Sequence, residues 1–270
     1  RPGRINGSAI SKNRRGRPLG SFALMSDQRP QDPKQEDRST SRENGQDTGE
    51  PAPPTVTLNR RGARRARGSH PWIYRSDVAS ARASGGDLVR VLGPRDRDLG
   101  WAFYSDRSQI SIRFVDQLGA EPDREFWRAR LQTARAWRES LELGPVCRLV
   151  HAEADRIPSL VCDRYGDYLV LQTLSQGADR LADLWVELLG ELLEPEAIVF
   201  RNDPRVRGLE GLPQKIEVVR GDVPPSIDLE IDGVSYGVDL LAGQKTGLFL
   251  DQRENRLAAR RYAHGRLLDV

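Results

Sequence analysis

The stretch Val238-Asp239-Leu240-Leu241-Ala242-Gly243-Gln244-Lys245-Thr246-Gly247-Leu248-Phe249-Leu250-Asp251-Gln252-Arg253-Glu254-Asn255-Arg256 decides the reading of this chain. Two glycines bracket a Lys-Thr pair, which invites comparison with a phosphate-binding loop. The comparison fails, because that loop needs a glycine immediately before its lysine and Gln244 stands there. Lys245-Thr246 also runs into Gly-Leu-Phe, not a clear helix start. Upstream, Leu229-Glu230-Ile231 and Val234-Ser235-Tyr236 flank Asp232-Gly233, so a hairpin is expected over 227–239. Downstream, a helix is expected from about 252 to 263, with Asp251 and Glu254 as a capping box and Gly265 as its stop. The closing Leu267-Leu268-Asp269-Val270 has the character of a buried parallel strand entered from that helix. Its crossover helices and neighbouring strands do not follow, so the chain is expected to stop inside its third domain.

Outward from this stretch, residues 146–222 read as strand, strand, helix, strand, strand. The strands are expected at about 146–151, 157–174 (with a turn at Tyr165-Gly166-Asp167), 197–201 and 215–220. Leu181, Leu184, Trp185, Leu188, Leu189 and Leu192 mark one helical face, which Pro195 ends. A bridging helix is expected over 122–142, with Trp127, Leu131, Ala134, Trp137 and Leu141 on its apolar side. Residues 55–119 read as a small all-β domain. Its short runs are Val56–Leu58, Asp87–Leu92, Gly100–Tyr104 and Gln109–Val115, separated by turn signals such as Gly93-Pro94. Residues 1–54 lack apolar periodicity and are expected to be disordered. The chain begins with Arg1 and its only methionine is Met25, which points to Met25 as the physiological start or to a fragment.

Composition excludes several classes. The apolar runs fall far short of the roughly 20 residues that span a membrane. Two cysteines, Cys147 and Cys162, make no disulfide framework, and His70, His151 and His264 lie too far apart for a zinc site. The net charge of +3 sits in the tail: residues 1–54 hold ten basic and seven acidic residues, and the remainder is neutral. Within that neutral body, Asn59–Gly68 carries five arginines and no acid.

The Val238–Arg256 string closely resembles a signature of the ribosomal large subunit methyltransferase I family, S-adenosylmethionine-dependent RNA cytosine-5 methyltransferases. Gly68-Ser69-His70-Pro71-Trp72-Ile73-Tyr74 and Gly100–Ile110 resemble that family's PUA domain. Arg148–Asp155 and Ile157–Asp167 resemble its central domain, with Ala152, Ala154 and Ser159 where glycine is expected. The resemblance covers about 56–270. It implies a multidomain α/β fold: a disordered tail (1–54), a PUA-like RNA-binding β-barrel (55–119), a linking helix (120–145), a central β-β-α-β-β domain (146–222) and the start of a Rossmann-like class I methyltransferase domain (223–270).

The resemblance further implies S-adenosylmethionine as cofactor, with Gln244, Thr246, Phe249, Asp251 and Arg253 beside it. The rival reading makes Asp251 a helix cap, Phe249 core and Lys245 a solvated charge. Arg60, Arg61, Arg64, Arg65 and Arg67, beside Trp72 and Tyr74, are the RNA-binding candidates, since arginines neutralise phosphates and aromatics stack on unpaired bases. The rival is a solvated basic loop, with Trp72 and Trp101 in the barrel core. Cys147 and Cys162 read as buried structural residues. The nucleophilic cysteine of the family is expected beyond Val270, which makes this chain an inactive N-terminal fragment with no catalytic residue of its own. His70 reads as a turn residue, and Glu153 with Asp155 as a loop charge pair. Ribosomal RNA is the implied partner, with no membrane and no metal, in the cytoplasm; a homodimer is left open. The alternative function is a non-catalytic RNA-binding or ribosome-associated module.

Overall fold

The computed structural model describes residues 53–117, 119–266 and 268. The expected disordered tail up to residue 52, the Met25 start and the terminal strand, apart from Leu268, lie outside the described residues.

Short β-rich runs build the first sheet. In chain order its elements are β1 (Thr55–Leu58), α1 (Arg60–Arg67), β2 (Trp72–Tyr74), β3 (Val78–Arg82), β4 (Leu88–Leu92), β5 (Asp98–Tyr104) and β6 (Ile110–Asp116). The strand order is β2-β6-β5-β4-β1-β3, with β1 parallel to β4 and the other pairs antiparallel. Val56, Leu58, Ile73, Val89, Val91, Ala102, Ile112 and Phe114 fill its interior, and Ala63 and Ala66 of α1 close one side. Two strands escaped the sequence reading. β2 is three residues long, and β3 exposes all but Val78, so neither carries a period-2 apolar signal.

The second layer starts with α2 (Arg124–Ser140). Asp123 caps it, its side chain accepting the Phe126 N–H at 2.8 Å. Trp127, Leu131 and Ala134 are buried, as expected, but Trp137 and Leu141 are 58% and 47% exposed. The last turn of α2 meets the sheet through Arg138 instead, whose guanidinium donates to Arg148 O at 3.0 Å and to both Asp155 oxygens.

The second sheet contains β7 (Val146–His151), β8 (Leu160–Tyr165), β9 (Tyr168–Thr173), then α3 (Gln176–Arg180), α4 (Ala182–Leu193), β10 (Ala197–Asn202), α5 (Val206–Leu209) and β11 (Lys215–Arg220). Strand order follows the chain, β7 to β11, and only β9 and β10 run parallel, joined through α3 and α4. The turn expected at Tyr165-Gly166-Asp167 folds the 157–174 run into two paired strands, so three strands precede the helices of the β-β-α-β-β pattern. Alternation along β9 and β10 buries both sheet faces. Leu169, Leu171, Ile198 and Phe200 meet Trp185, Leu188 and Trp127, whereas Val170 and Val199 face the opposite side. That side is covered by the hairpin β12 (Ile227–Ile231) and β13 (Val234–Val238), through Ile227, Ile231 and Val238. Its turn residues Asp232 and Gly233 both have positive φ, as a two-residue hairpin turn requires. A loop then leads to α6 (Arg253–Ala259).

The two sheets share one core, since Phe103 and Val115 of the first pack with α2, α4 and the second. Gly177 of α3 lies so close to the Phe103 ring that any side chain there would collide with it. Across the same junction Arg113 donates to Glu210 at 3.0 Å, and Gln176 bonds Asp106.

Candidate functional site

The loop after β13 is shaped by its own polar groups. The Asp239 carboxylate accepts the N–H groups of Leu241 and Ala242, both at 2.8 Å, which holds its pKa below the usual carboxylate range. Buried Arg201 of β10 donates to Leu240 O at 3.0 Å and Gly243 O at 2.9 Å, fixing the loop to the second sheet. Thr246 is buried and its hydroxyl lies 2.6 Å from Asp163 and 2.9 Å from the Tyr165 hydroxyl. An ionised carboxylate only accepts, so Thr246 donates to Asp163 and Tyr165 donates to Thr246. The Leu248 N–H donates to Tyr165 at 3.1 Å, and Arg148 grips Asp163 with two bonds of 2.8 and 3.0 Å. Burial pushes the Tyr165 pKa up to about 12.

The other cofactor candidates are similarly engaged. Arg253 donates to both Asp232 oxygens (2.8 and 2.6 Å) and to Leu143 O (2.7 Å). The Asp232 bond raises the Arg253 pKa, and the Arg253 bond lowers that of Asp232. Asp251 does not cap α6. It sits in a 3-10 turn over Leu250–Gln252 and accepts Lys245 Nζ at 2.8 and 2.9 Å, which lowers its pKa. Lys245 is exposed, as the rival reading expected, though paired with Asp251; its ammonium lies 4.4 Å from the centroid of the half-exposed Phe249 ring. Gln244 is exposed. Asp251 and Arg253 line a cleft of about 370 Å³ with Trp137, Cys147 and His151, and Gln244, Thr246 and Phe249 lie outside its wall. The five positions therefore do not converge on one cavity. Thr246, Asp251 and Arg253 are already bonded within the protein, which leaves the exposed side chains of Gln244 and Phe249 as those of the set open to a ligand.

The basic segment is a helix, which corrects the reading of a loop. Asn59 caps α1 by accepting the Gly62 N–H at 2.9 Å, and Gly62 allows close approach to the Asp77 backbone. Its five arginines divide. Arg61 pairs with the fully buried Asp77, and Arg65 reaches the same carboxylate at 3.5 Å while lying over the Tyr74 ring. Arg60, Arg64 and Arg67 are exposed. Trp101 is core, whereas Trp72 is only half-buried and donates Nε1–H to Glu153 at 2.9 Å. His70 is a turn residue, its Nδ1 accepting the Trp72 N–H. Glu153 and Asp155 separate: Glu153 serves Trp72 and Asp155 serves Arg138.

Cys147 and Cys162 are buried, and burial raises both thiol pKa values, that of Cys162 most. Neither is a poised nucleophile. Asp77 and the Arg113–Glu210 pair escaped the sequence reading, because charges that meet across many residues leave no local pattern. Among the described residues no group of three His, Cys, Asp or Glu could hold a metal, and no helix is long and apolar enough to cross a membrane.

Residues 56–117 match the PUA-like domain family. The chain is 38% identical over 206 residues to ribosomal RNA large subunit methyltransferase I of Tolumonas auensis, covering 73% of this chain and 52% of that protein. The proteins of the same name from Shewanella amazonensis and Yersinia pseudotuberculosis are 38% and 37% identical with the same coverage. The chain thus spans about half the length of the curated relatives it matches. Among solved structures, a Streptococcus mutans protein assigned as a SAM-dependent methyltransferase superposes with a TM-score of 0.66 at 17% identity, over 77% of this chain and 54% of that one. A second, described as a methyltransferase complexed with SAH, gives 0.64 at 17% over 75% and 52%. These likenesses establish the shared fold. The chain is a relative of the ribosomal RNA large subunit methyltransferase I family across about half of those proteins' length, and its residues 56–117 are a PUA-like domain.

Proposed function

We propose that this chain is the RNA-binding part of an S-adenosylmethionine-dependent methyltransferase that modifies carbon 5 of a cytosine in large-subunit ribosomal RNA, in the cytoplasm. The observation that carries the reading is the exposed arginine face of α1 on a PUA-like domain, in a chain 38% identical to proteins of that name. In this reading residues 55–119 hold RNA, 120–145 link, 146–222 form the scaffold, and 223–270 open the catalytic domain. Arg60, Arg64 and Arg67 neutralise phosphates, while Arg61 and Arg65 hold α1 on the barrel through Asp77.

Near the cofactor, which when bound supplies the methyl group, Gln244 and Phe249 keep side chains free to meet a ligand. Thr246, Asp251 and Arg253 position the loop that carries them. Cytosine-5 transfer needs a thiolate to attack carbon 6. Neither Cys147 nor Cys162 can act so, because each is buried with a raised pKa. The chain by itself is therefore expected to bind RNA and to transfer no methyl group.

The test is direct. A ribosomal RNA fragment is titrated with the 270-residue chain at several salt concentrations, and labelled methyl incorporation is measured in parallel. Salt-dependent binding without incorporation supports the reading. No RNA binding at low salt overturns it, and incorporation overturns the statement about the cysteines.

A further inference from the structure

We infer that the junction between the PUA-like and central domains is a second RNA contact, in which Arg130 and Arg156 clamp one phosphodiester group and Trp137 stacks on an adjacent unpaired base. This rests on the proposed RNA-binding function and extends it to a surface that the α1 arginines do not share.

The argument starts from pairing. Six of the less exposed arginines of the two domains meet a carboxylate: Arg113 meets Glu210, Arg138 meets Asp155, Arg148 meets Asp163, Arg201 meets Asp203, Arg207 meets Asp179, and Arg253 meets Asp232. The half-buried Arg130 has no such partner among the described residues, nor has the exposed Arg156 beside it. Arg130 lies on α2 with its guanidinium 4.7 Å from the Phe126 ring centroid, and its Nη1 is buried without any acceptor. A buried donor with nothing to bind costs stability and invites an anion. Desolvation lowers the Arg130 pKa and the positive charge of Arg156 lowers it further, and the two residues line the same two clefts.

The turn that carries Arg156 is held from both sides. Glu153 accepts from Trp72 of the PUA-like domain, and Asp155 accepts from Arg138 and from the His151 N–H. Arg156 itself has a left-handed backbone, with φ of 57°. That conformation disfavours a residue with a Cβ and persists only where the surroundings impose it. The turn thus fixes the backbone from which the exposed Arg156 side chain extends.

The two arginines line a cleft on each side. One, of about 350 Å³, also includes Ser69, Gln117, Asp116 and Glu153. Glu153 is committed to Trp72 and approaches Arg113, and Asp116 attracts Arg130 without forming an ion pair with it. The other cleft, of about 460 Å³, includes Trp137 and Asp155, and Asp155 is committed to Arg138. The 58% exposure of Trp137 leaves an aromatic face beside the two cations. Two cations lining one cleft beside an open indole suit single-stranded RNA, where stacking and phosphate contacts combine.

The experiment uses the full chain and a single-stranded oligonucleotide. Arg130→Gln and Arg156→Gln should each flatten the plot of log affinity against log salt, by about 0.7 when combined, the share of the one phosphate they clamp. Trp137→Ala should weaken binding by about 5- to 100-fold and abolish the RNA-induced quenching of tryptophan fluorescence. The arginine variants should keep or raise the thermal midpoint, because they remove unpaired like charges. A purely structural role would lower the midpoint and leave the salt slope alone. If Arg130→Gln and Arg156→Gln weaken binding of inorganic phosphate but leave RNA affinity and its salt slope unchanged, the clamp holds a free anion and the RNA contact is refuted. If the wild-type chain binds RNA and all three variants bind equally well, this inference fails while the proposed function stands. If the wild-type chain binds no RNA, both fail.

Discussion

Arg113 on β6 and Glu210 after α5 form an ion pair at 3.0 Å, with side chains only 9% and 1% exposed, across 97 positions of sequence. The pair sits where the PUA-like domain meets the central domain, beside the contact between Gly177 and Phe103. A charge pair out of water holds little net energy against an apolar replacement, but it is costly to break. Its value here is geometric, since a slip of one sheet against the other would leave both charges buried alone.

Glu210→Ala should therefore cost about 3–5 kcal/mol of stability, and an Arg113→Met, Glu210→Leu double variant should recover most of that loss. Urea denaturation of the single and double variants completes the cycle. A single variant within about 0.5 kcal/mol of wild type, the range of an ordinary surface change, would remove the pair from the junction.

Tyr165 makes stability depend on alkaline pH. Burial pushes its pKa in the folded chain up to about 12, against an ordinary value of 10.0. The folded state then holds a proton that the unfolded state releases first, so stability falls as pH rises between those values. The contribution is fully present below pH 10 and about 2–3 kcal/mol of it is lost by pH 12. Other alkaline titrations cancel in the difference between wild type and Tyr165→Phe. That difference should shrink across this window, and a pH-independent difference would show that Tyr165 titrates normally.

Much of this fold is written in local pattern. The alternation of Leu169, Val170 and Leu171 marks a strand buried on both faces, and Asp232-Gly233 marks a hairpin turn that the backbone adopts. The segment 60–67 was not legible as a helix. Its apolar face consists only of Gly62, Ala63 and Ala66, too small to register against five arginines, and tertiary contact with Asp77 decides its structure. Asp251 reads as a cap because it precedes Glu254 by three residues. In space Lys245 reaches it first, and a charged donor outcompetes a backbone amide. Thr246 and Arg253 were identified as polar groups near a ligand, and what the sequence could not show is that Asp163, Tyr165, Asp232 and Leu143 already occupy them.

Ala152 tests a departure that the sequence announces. It stands where glycine was expected, and its φ is 47°. A Cβ in that region costs about 1–2 kcal/mol, part of which glycine returns as greater freedom of the unfolded chain. Ala152→Gly should stabilise the protein by about 0.5–1 kcal/mol. A lower thermal midpoint for this variant would mean that the turn is not strained.

The arginines of α1 can be separated by one pair of measurements. Arg60 and Arg64 are exposed and touch no carboxylate among the described residues, so Arg60→Gln and Arg64→Gln should leave the thermal midpoint unchanged. Each should reduce the salt slope of RNA binding by about 0.7. Asp77→Ala reverses the pattern. It removes the buried acceptor of Arg61 and the neighbour of Arg65, which should cost about 1.5–3 kcal/mol, the range for hydrogen bonds to charged groups. The same change releases two guanidiniums from an acid, so RNA affinity measured well below the midpoint should hold or rise. If Asp77→Ala instead lowers affinity as much as it lowers stability, the seating of α1 on the barrel, and not the number of free arginines, sets RNA binding.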